Sequence, residues 1–344
     1  REIKIIEYNN IIQPHINSFL LKKIVFFFRP LLFLISFLRF KFIFSQKKYD
    51  ILLAQCGGYG TIREEMAAVL ATNKGKIKIN SMVIHHACTF PPPFMTLFVR
   101  FINFLLSKKL TSLISVSKAT RESVFYKSNL LDSQLLHDVV IYNGVDTARK
   151  ETINNPIKRK KINVGLISRI EKYKGHEDLI WALKKIPEKE LSHFNFIFIG
   201  SGSKDFVANL KELTKRLNLS EYVIFKGYID KDIKEIVKDF DLVVSLTRTF
   251  EGFGLAIVES IMSNIPVITT KVGAINEYLT KEYCQIIEPG SIDQIKESIL
   301  DYHKNRANWI NRSIKAKKYI EQNFSAEKMA DEYKSHLEQK LNQN

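Results

Sequence analysis

A chain of 344 residues, 45% of them hydrophobic, exceeds what one core usually serves, so length and composition predict two domains with a core in each. Three cysteines, Cys56, Cys88 and Cys284, lie far apart without a C-x-x-C pair, which excludes a disulfide framework and fits a reducing cytosol. The net charge of +16 comes with no nucleic-acid motif, and the aromatic residues stand in solid apolar blocks unlike interleaved stacking platforms, so nucleic acid is not expected as a partner.

The chain opens at Arg1 on R-E-I-K-I-I-E-Y, which reads as a strand, and the absence of Met predicts a truncated or processed N-terminus. Most of the positive excess lies early, with 21 Lys+Arg against 9 Asp+Glu in residues 1–150. Residues 18–44 are aromatic and aliphatic but are broken by Lys22, Lys23, Arg29, Arg39 and Lys41 and carry Pro30. A spanning helix needs about 20 largely uncharged apolar residues, so this segment is expected to lie on a membrane rather than cross it. Residues 94–109 repeat the character. Basic, aromatic-rich helices of this kind bind anionic lipid surfaces. The plainer reading is that both are core helices whose lysines reach solvent.

Asp50–Gln55, Ile79–Ile84, Ser112–Val116 and Val139–Tyr142 read as strands. Gly57, Gly58 and Gly60 follow the first of them and read as a plain tight turn opening a helix at Thr61; a short glycine loop is a weak phosphate signal alone. His85 and His86 close the second strand. Residues Asp146–Lys161 are polar, charged and contain Pro156, as a linker would. Beyond it, strands are expected at Ile162–Ser168, Phe194–Gly200, Tyr222–Gly227, Asp241–Leu246, Pro266–Thr270 and Gln285–Glu288, alternating with helices. Such alternation predicts an α/β fold with parallel sheets, whose ligands bind beyond the carboxyl ends of the strands. A last helix covers Ala326–Leu341. His137, His176, His193 and His303 show no metal-ligand spacing, and no metal site is expected.

The densest chemistry lies at Thr249–Glu259, T-F-E-G-F-G-L-A-I-V-E. Gly252 and Gly254 permit a sharp turn, and Leu255–Met262 reads as a buried helix whose free N–H groups and dipole favour an anion such as a nucleotide diphosphate. Glu259 falls among Ala256, Ile257, Val258 and Ile261, where an unpaired carboxylate is costly and sugar hydroxyls would supply donors.

These residues resemble the retaining glycosyltransferases of the large family four, which carry a Glu, seven residues, Glu signature on the two-domain GT-B fold. G-L-I-S-R-I-E-K-Y-K-G-H at Gly165–His176 is similar to the family's arginine and lysine-glycine segment. I-Y-N-G-V-D at Ile141–Asp146 is similar to its interdomain segment, and I-S-V-S-K-A-T at Ile114–Thr120 to the strand and serine before it. Phe198–Gly202, Phe225–Gly227 and Pro266–Ile268 follow in the family's order. The resemblance implies two Rossmann-like domains facing across a cleft. Their bounds would be 1–147 on the acceptor side, a linker at 148–161, a donor domain at 162–324, and a helix at 325–344 packing back towards the first. The family's opening strand and glycine-rich acceptor loop are missing.

By the same resemblance Arg169 and Lys174 hold the donor diphosphate, Glu251 contacts the transferred sugar and His86 is the cleft residue, these four forming the catalytic set. Gly200, Gly252, Phe253, Gly254, Leu255 and Glu259 bind the donor, Glu259 through the ribose hydroxyls. His85, Ser117 and Asn143 are secondary candidates. Taken singly, Arg169 and Lys174 are ordinary surface cations, Glu251 a solvated loop carboxylate, and a strand-end histidine a structural hydrogen-bonder. Two departures stand out: Ser245–Arg248 replaces a usual Pro-Ser, and Asn264 a common glycine. Arg248 adds a cation beside the donor loop, open to a phosphate or carboxylate.

The implied activity is transfer of a sugar from a nucleotide-diphosphate donor, UDP more than GDP, to an acceptor hydroxyl. No cofactor or metal is implied. Together with the basic helices it points to a lipid-linked acceptor in bacterial surface-polysaccharide or lipopolysaccharide synthesis, and to a cytoplasmic protein peripheral on the inner membrane face. The competing readings are a nucleotide-sugar epimerase, a sugar phosphorylase, or an inactive lipid-surface or carbohydrate-binding fragment.

Overall fold

The computed structural model describes residues 27–60, 62–73, 76–127, 137–147 and 160–343. The N-terminal strand expected near Arg1, the first part of the 18–44 segment and nearly all of the linker fall outside them. The chain forms two compact units. One takes residues up to Ile141 together with Glu332–Asn344, and the other is Tyr142–Asp331.

The first unit runs α1 (Arg29–Gln46), β1 (Ile51–Cys56), α2 (Glu64–Ala71), β2 (Ile79–Ile84), α3 (Thr96–Lys109), β3 (Ser112–Ser115), α4 (Lys118–Lys127) and β4 (His137–Val140). Its 4-stranded sheet is parallel in the order β1-β2-β3-β4. Pro30 opens α1, where a missing N–H costs nothing. Phe33, Phe40 and Phe44 of α1 and Val99, Ile102 and Leu106 of α3 join one core with Met66, Val69 and Met82. The opposite faces of the same helices stay in water: Phe42 is 69% exposed and Leu97 80%. The core reading of these segments therefore holds for one face of each helix, while the other face is a bare apolar surface. No helix among the described residues is long and apolar enough to cross a membrane.

The second unit runs β5 (Ile162–Ile167), α5 (His176–Lys184), α6 (Glu188–Leu191), β6 (Phe194–Ile199), α7 (Lys204–Arg216), β7 (Val223–Gly227), α8 (Ile233–Val237), β8 (Leu242–Ser245), α9 (Leu255–Met262), β9 (Val267–Thr270), α10 (Ile275–Tyr278), β10 (Gln285–Ile287), α11 (Ile292–Lys304) and α12 (Arg306–Asn323), and ends in the first turns of α13 (Ala326–Gln343), whose residues from Glu332 on belong to the first unit. Its strands pair in parallel in the order β10-β9-β8-β5-β6-β7. Alternate residues of each strand feed opposite cores, as the period of two demands. Phe194, Phe196 and Phe198 pack with α5 and α11, while Ile197 and Ile199 join the cluster of α9 and α12. Asn264 sits at φ 57°, the left-handed conformation that asparagine tolerates and glycine adopts freely.

Candidate functional site

Strand order in the second unit reverses between β5 and β8, the chain winding outward through β6 and β7 on one side and β9 and β10 on the other. In such sheets the loops at this switch point leave a crevice beyond the carboxyl ends of the strands. The loop after β5 carries Arg169 and Lys174; the loop after β8 carries Thr247 and Glu251.

The two loops are fastened together. Arg248 N–H donates to the Tyr173 carbonyl at 2.7 Å. A Cβ on Gly175, which has φ 78°, would lie 2.3 Å from the Leu246 carbonyl oxygen, so only glycine allows this approach. Inside the junction Lys174 Nζ pairs with Glu251 Oε2 at 2.9 Å and donates to Thr247 Oγ1 at 3.3 Å, and Thr247 Oγ1 donates to Glu251 Oε2 at 3.2 Å. Lys174 and Glu251 keep 12% and 18% of their side chains exposed. Thr247 is buried and its carbonyl accepts from Thr270 Oγ1 at 2.6 Å. Tyr173 links the two cations: its hydroxyl lies 2.8 Å from Arg169 Nη2, and Lys174 Nζ stands 5.3 Å from its ring centroid. Burial pushes the Tyr173 hydroxyl up to about 12. Arg169 is exposed and also pairs with Glu171 at 2.8 Å. Tyr173 and Thr247 are not flagged by the sequence motifs.

Gly254 caps α9 with φ 88°, and no side chain caps that end, so the first N–H groups of the helix are left open. Gly273 N-terminal to α10 closes the loop from behind, since a Cβ there would lie 2.2 Å from the Glu251 carbonyl oxygen. That same oxygen accepts from Ala274 N–H at 2.9 Å. The Phe253 ring is 2% exposed and stacks on Tyr278 at 5.1 Å, so its side chain anchors the loop in the core and only its backbone is left for a donor. Gly252 is buried, whereas Leu255 is exposed at the helix start. Five residues into the helix, Glu259 has Oε2 buried with no hydrogen-bond partner. Burial raises its pKa, opposed by the nearby Lys234 ammonium and reinforced by Asp232. Lys234 itself reaches Asp146 Oδ2 at 3.3 Å.

Gly200, at the end of β6 with φ 142°, nests on the loop that carries Arg169: a Cβ there would lie 1.9 Å from the Ser168 carbonyl oxygen. Arg248 turns away from the junction and grips Asp178 of α5 with two hydrogen bonds, Nε to Oδ2 at 2.7 Å and a second from Nη2 to Oδ1. The carboxylate it meets is therefore the protein's own. Beneath Lys174, His176 is fully buried against Phe198, with neither ring nitrogen hydrogen-bonded. Burial first, and then the Lys174 charge, hold it down at about 4.

The remaining candidates fall as follows. His85 Nε2 lies 2.6 Å from Gln55 Oε1 of β1, and burial lowers its pKa. His86 flanks the glycine loop, its Cβ 3.7 Å from where a Cβ on Gly58 would stand. That loop is a close backbone crossing rather than a plain turn. Gly60 has φ 104°, a Cβ there would fall 1.6 Å from the Thr89 carbonyl oxygen, and Thr89 N–H donates to the Tyr59 carbonyl at 2.7 Å. The helix beyond starts at Glu64, and Thr61 lies outside the described residues. Ser117 caps α4: its Oγ accepts from Thr120 N–H at 3.1 Å and is fully buried. Asn143 lies in the second unit on a strap whose Val145 N–H donates to Phe324 O at 2.9 Å and whose Val145 carbonyl accepts from Ala326 N–H at 2.8 Å. Among the described residues no group of His, Cys, Asp and Glu is placed to hold a metal ion.

Residues 148–324 match the family described as Glycosyl transferases group 1. The uncharacterized glycosyltransferase MJ1069 of Methanocaldococcus jannaschii is 24% identical over 91% of this chain and 81% of its own length. The O-antigen biosynthesis glycosyltransferase WclY of Escherichia coli is 27% identical over 57% of this chain and 54% of its own. The chain spans about half the length of several curated relatives, 47% and 38% in two cases. Among solved structures, Anabaena Alr3699/HepE in complex with UDP and glucose superposes with a TM-score of 0.71 at 20% identity, covering 88% of this chain and 80% of that one. Two parallel α/β units with this likeness are the GT-B fold, and with the family match over more than half its residues the chain belongs to the group 1 glycosyl transferases.

Proposed function

We propose that the protein moves a sugar, with retention at the anomeric carbon, from a nucleotide-diphosphate sugar to a hydroxyl of a lipid-linked glycan in cell-surface polysaccharide synthesis. The observation that carries this reading is the junction of Lys174, Thr247 and Glu251 beside the N-terminus of α9, with the orphaned Glu259 carboxylate on the same helix. Cleavage of the donor places negative charge on the leaving diphosphate, and stabilising that charge is the main catalytic demand. Lys174, Arg169 and the N–H groups at Gly254 and Leu255 supply positive potential from the chain itself, which supports a metal-independent reaction. Glu251 is proposed to orient the sugar through its hydroxyls. A ribose diol donating to Glu259 Oε2 would relieve the unmet burial of that oxygen. His86 is proposed to act at the sugar and His85 to position the strand end. In HepE the bound nucleotide is UDP, which favours UDP- over GDP-sugars here. The surface-polysaccharide assignment leans on WclY, and the lipid-linked acceptor on the exposed apolar faces of α1 and α3. Those faces would seat the protein on the cytoplasmic side of an anionic membrane.

The test is binding and turnover of a panel of UDP-, GDP- and dTDP-sugars with a polyprenyl-diphosphate-sugar acceptor, comparing wild type with Glu259→Ala and Arg169→Ala. One donor consumed only with acceptor, and lost in both variants, is the expected result. Binding of no nucleotide sugar, or variants that behave as wild type, sinks the donor-site assignment.

A further inference from the structure

Between α1, α2 and α3 of the first unit runs an apolar groove enclosing about 970 Å³, at the upper end of the ~300–1,000 Å³ typical of ligand pockets. Phe33, Phe37, Leu70, Phe98 and Leu105 are among the residues that line it. The groove has a polarity. Phe33 and Phe98 meet edge to face at 6.2 Å at one end, near the starts of α1 and α3. At the other, Lys76 Nζ donates to the Ser45 carbonyl at 2.5 Å and Lys109 Nζ to the Thr72 carbonyl at 2.8 Å, so all three helix C-termini converge there. From Phe33 to Ser45 the helix advances about 18 Å at ~1.5 Å per residue.

The C-terminal end is also where the charge collects. Lys41, Lys76, Lys108 and Lys109 all line the groove, and no carboxylate does among the described residues. Three helix C-termini alone would repel an anion; four ammonium groups reverse the sign. Lys76 spends one of its three N–H donors on Ser45. The end is rigid: the buried Asn80 amide donates to the Val69 carbonyl of α2 at 3.1 Å, to Thr72 Oγ1 at 2.9 Å and to the Lys109 carbonyl at 3.3 Å, locking two of the helix ends to β2. A preformed slot, apolar along its length and cationic at one mouth, matches a molecule that is a hydrocarbon chain ending in a phosphate.

We infer that this groove holds the hydrocarbon chain of the phosphorylated lipid that carries the acceptor, with the phosphate at Lys41, Lys76 and Lys109. The inference rests on the lipid-linked acceptor of the proposed function and adds a site for its tail. It differs from adsorption of the outward faces of α1 and α3 on a bilayer, because one chain leaves the bilayer and lies between the helices.

Calorimetric titration of the full chain with farnesyl phosphate, a soluble probe of that chemistry, tests it. Farnesol and inorganic phosphate are expected to bind at least about tenfold more weakly, each lacking one half of the match. Leu105→Trp fills the slot, and Lys41→Glu with Lys76→Glu reverses the mouth; each is expected to weaken farnesyl phosphate at least about tenfold while the melting temperature holds. Unchanged binding in both variants overturns the site. So does a wild type that does not bind the probe, the outcome expected if residues 1–26 of the same chain fill the groove. Sugar transfer separates the two readings. If transfer to a lipid acceptor is equal in wild type and Leu105→Trp, the groove falls and the transferase reading stands. If the probe binds in the groove but no lipid acceptor is glycosylated, the lipid-acceptor reading falls and the assignment of the groove to the acceptor's lipid falls with it, leaving only a site for a phosphorylated hydrocarbon chain.

Discussion

Lys174 Nζ and Glu251 Oε2 meet at 2.9 Å across the loops that follow β5 and β8, each side chain largely shielded from solvent. Under the proposed function the pair would join the cation that meets the diphosphate to the carboxylate that meets the sugar, so each would set the charge and position of the other. Lys174→Ala is expected to lower kcat/KM by about 10²–10³-fold. Glu251→Gln should lose a similar amount, and the double variant little more than the worse single one, since residues acting as a unit are not additive. Steady-state kinetics of the three variants decide it, and fully additive losses would show that the pair acts as two separate groups.

Thr247 is a positioning residue in this junction, its hydroxyl bonded to both members of the pair. Thr247→Val keeps the shape and removes the hydroxyl. The expectation is a fall in kcat of about tenfold with donor KM nearly unchanged, matching ~1.5 kcal/mol for one hydrogen bond to a charged group. Thr247→Ser should restore kcat, and a Val variant with wild-type kcat would remove the residue from the mechanism.

Glu259 carries a raised pKa because burial disfavours its carboxylate. Sign follows directly: the folded state prefers the protonated form, so ionisation at neutral pH costs the free protein stability. Glu259→Gln is therefore expected to melt higher than wild type at pH 7 and to lose the thermal shift given by a nucleotide sugar. A lower melting temperature, or a retained shift, contradicts the assignment.

His176 is held at about 4 against an ordinary 6.5. Between those values the unfolded chain binds a proton that the folded chain refuses, so stability is level above pH 6.5 and falls as pH drops towards 4. The full loss amounts to about 3 kcal/mol. Chemical denaturation of wild type and His176→Phe at pH 7 and pH 5 should show the acid loss shrinking in the variant. Parallel losses in both proteins would place the acid sensitivity elsewhere.

The outward faces of α1 and α3 should partition into anionic vesicles. Phe42→Ser with Leu97→Ser removes two large exposed side chains, each worth ~1.5–3 kcal/mol when fully buried. Cosedimentation is expected to weaken by about a hundredfold, with wild-type binding falling as salt rises. Unaltered cosedimentation would move the lipid contact to another surface.

Much of this was legible in the sequence because strands alternating with helices leave a strong period, and each of the ten strands expected from Asp50 onward appears within a residue or two of its place. Glycines were read less well. The close approach at Gly60 depends on Thr89, far along the chain, which no local pattern reveals. Phe253 looks like a ligand contact in E-G-F-G, yet packs inward because Tyr278 offers a ring to stack on. Tyr173 lies inside the Gly165–His176 segment and Thr247 inside Ser245–Arg248, yet no motif gives either a role; their contacts exist because the strand order brings together two loops 70 or so residues apart, as the 73-residue separation of the Lys174–Thr247 bond measures. Arg248 chose Asp178 by the same long-range logic.

The β5–β8 contact has a kinetic side. Asp241 Oδ2 accepts from Asn163 N–H at 2.9 Å across 78 residues of sequence, and Asp241 N–H returns a bond to the Asn163 carbonyl at 2.9 Å. This central pairing cannot form until β6, β7 and everything between have been made and set aside. During synthesis the inner edge of β5 is therefore an open row of backbone donors and acceptors, and closing so long a loop is slow. The architecture that creates the crevice thus also leaves an unpaired, aggregation-exposed strand edge during synthesis, from the emergence of Asn163 to the arrival of Asp241.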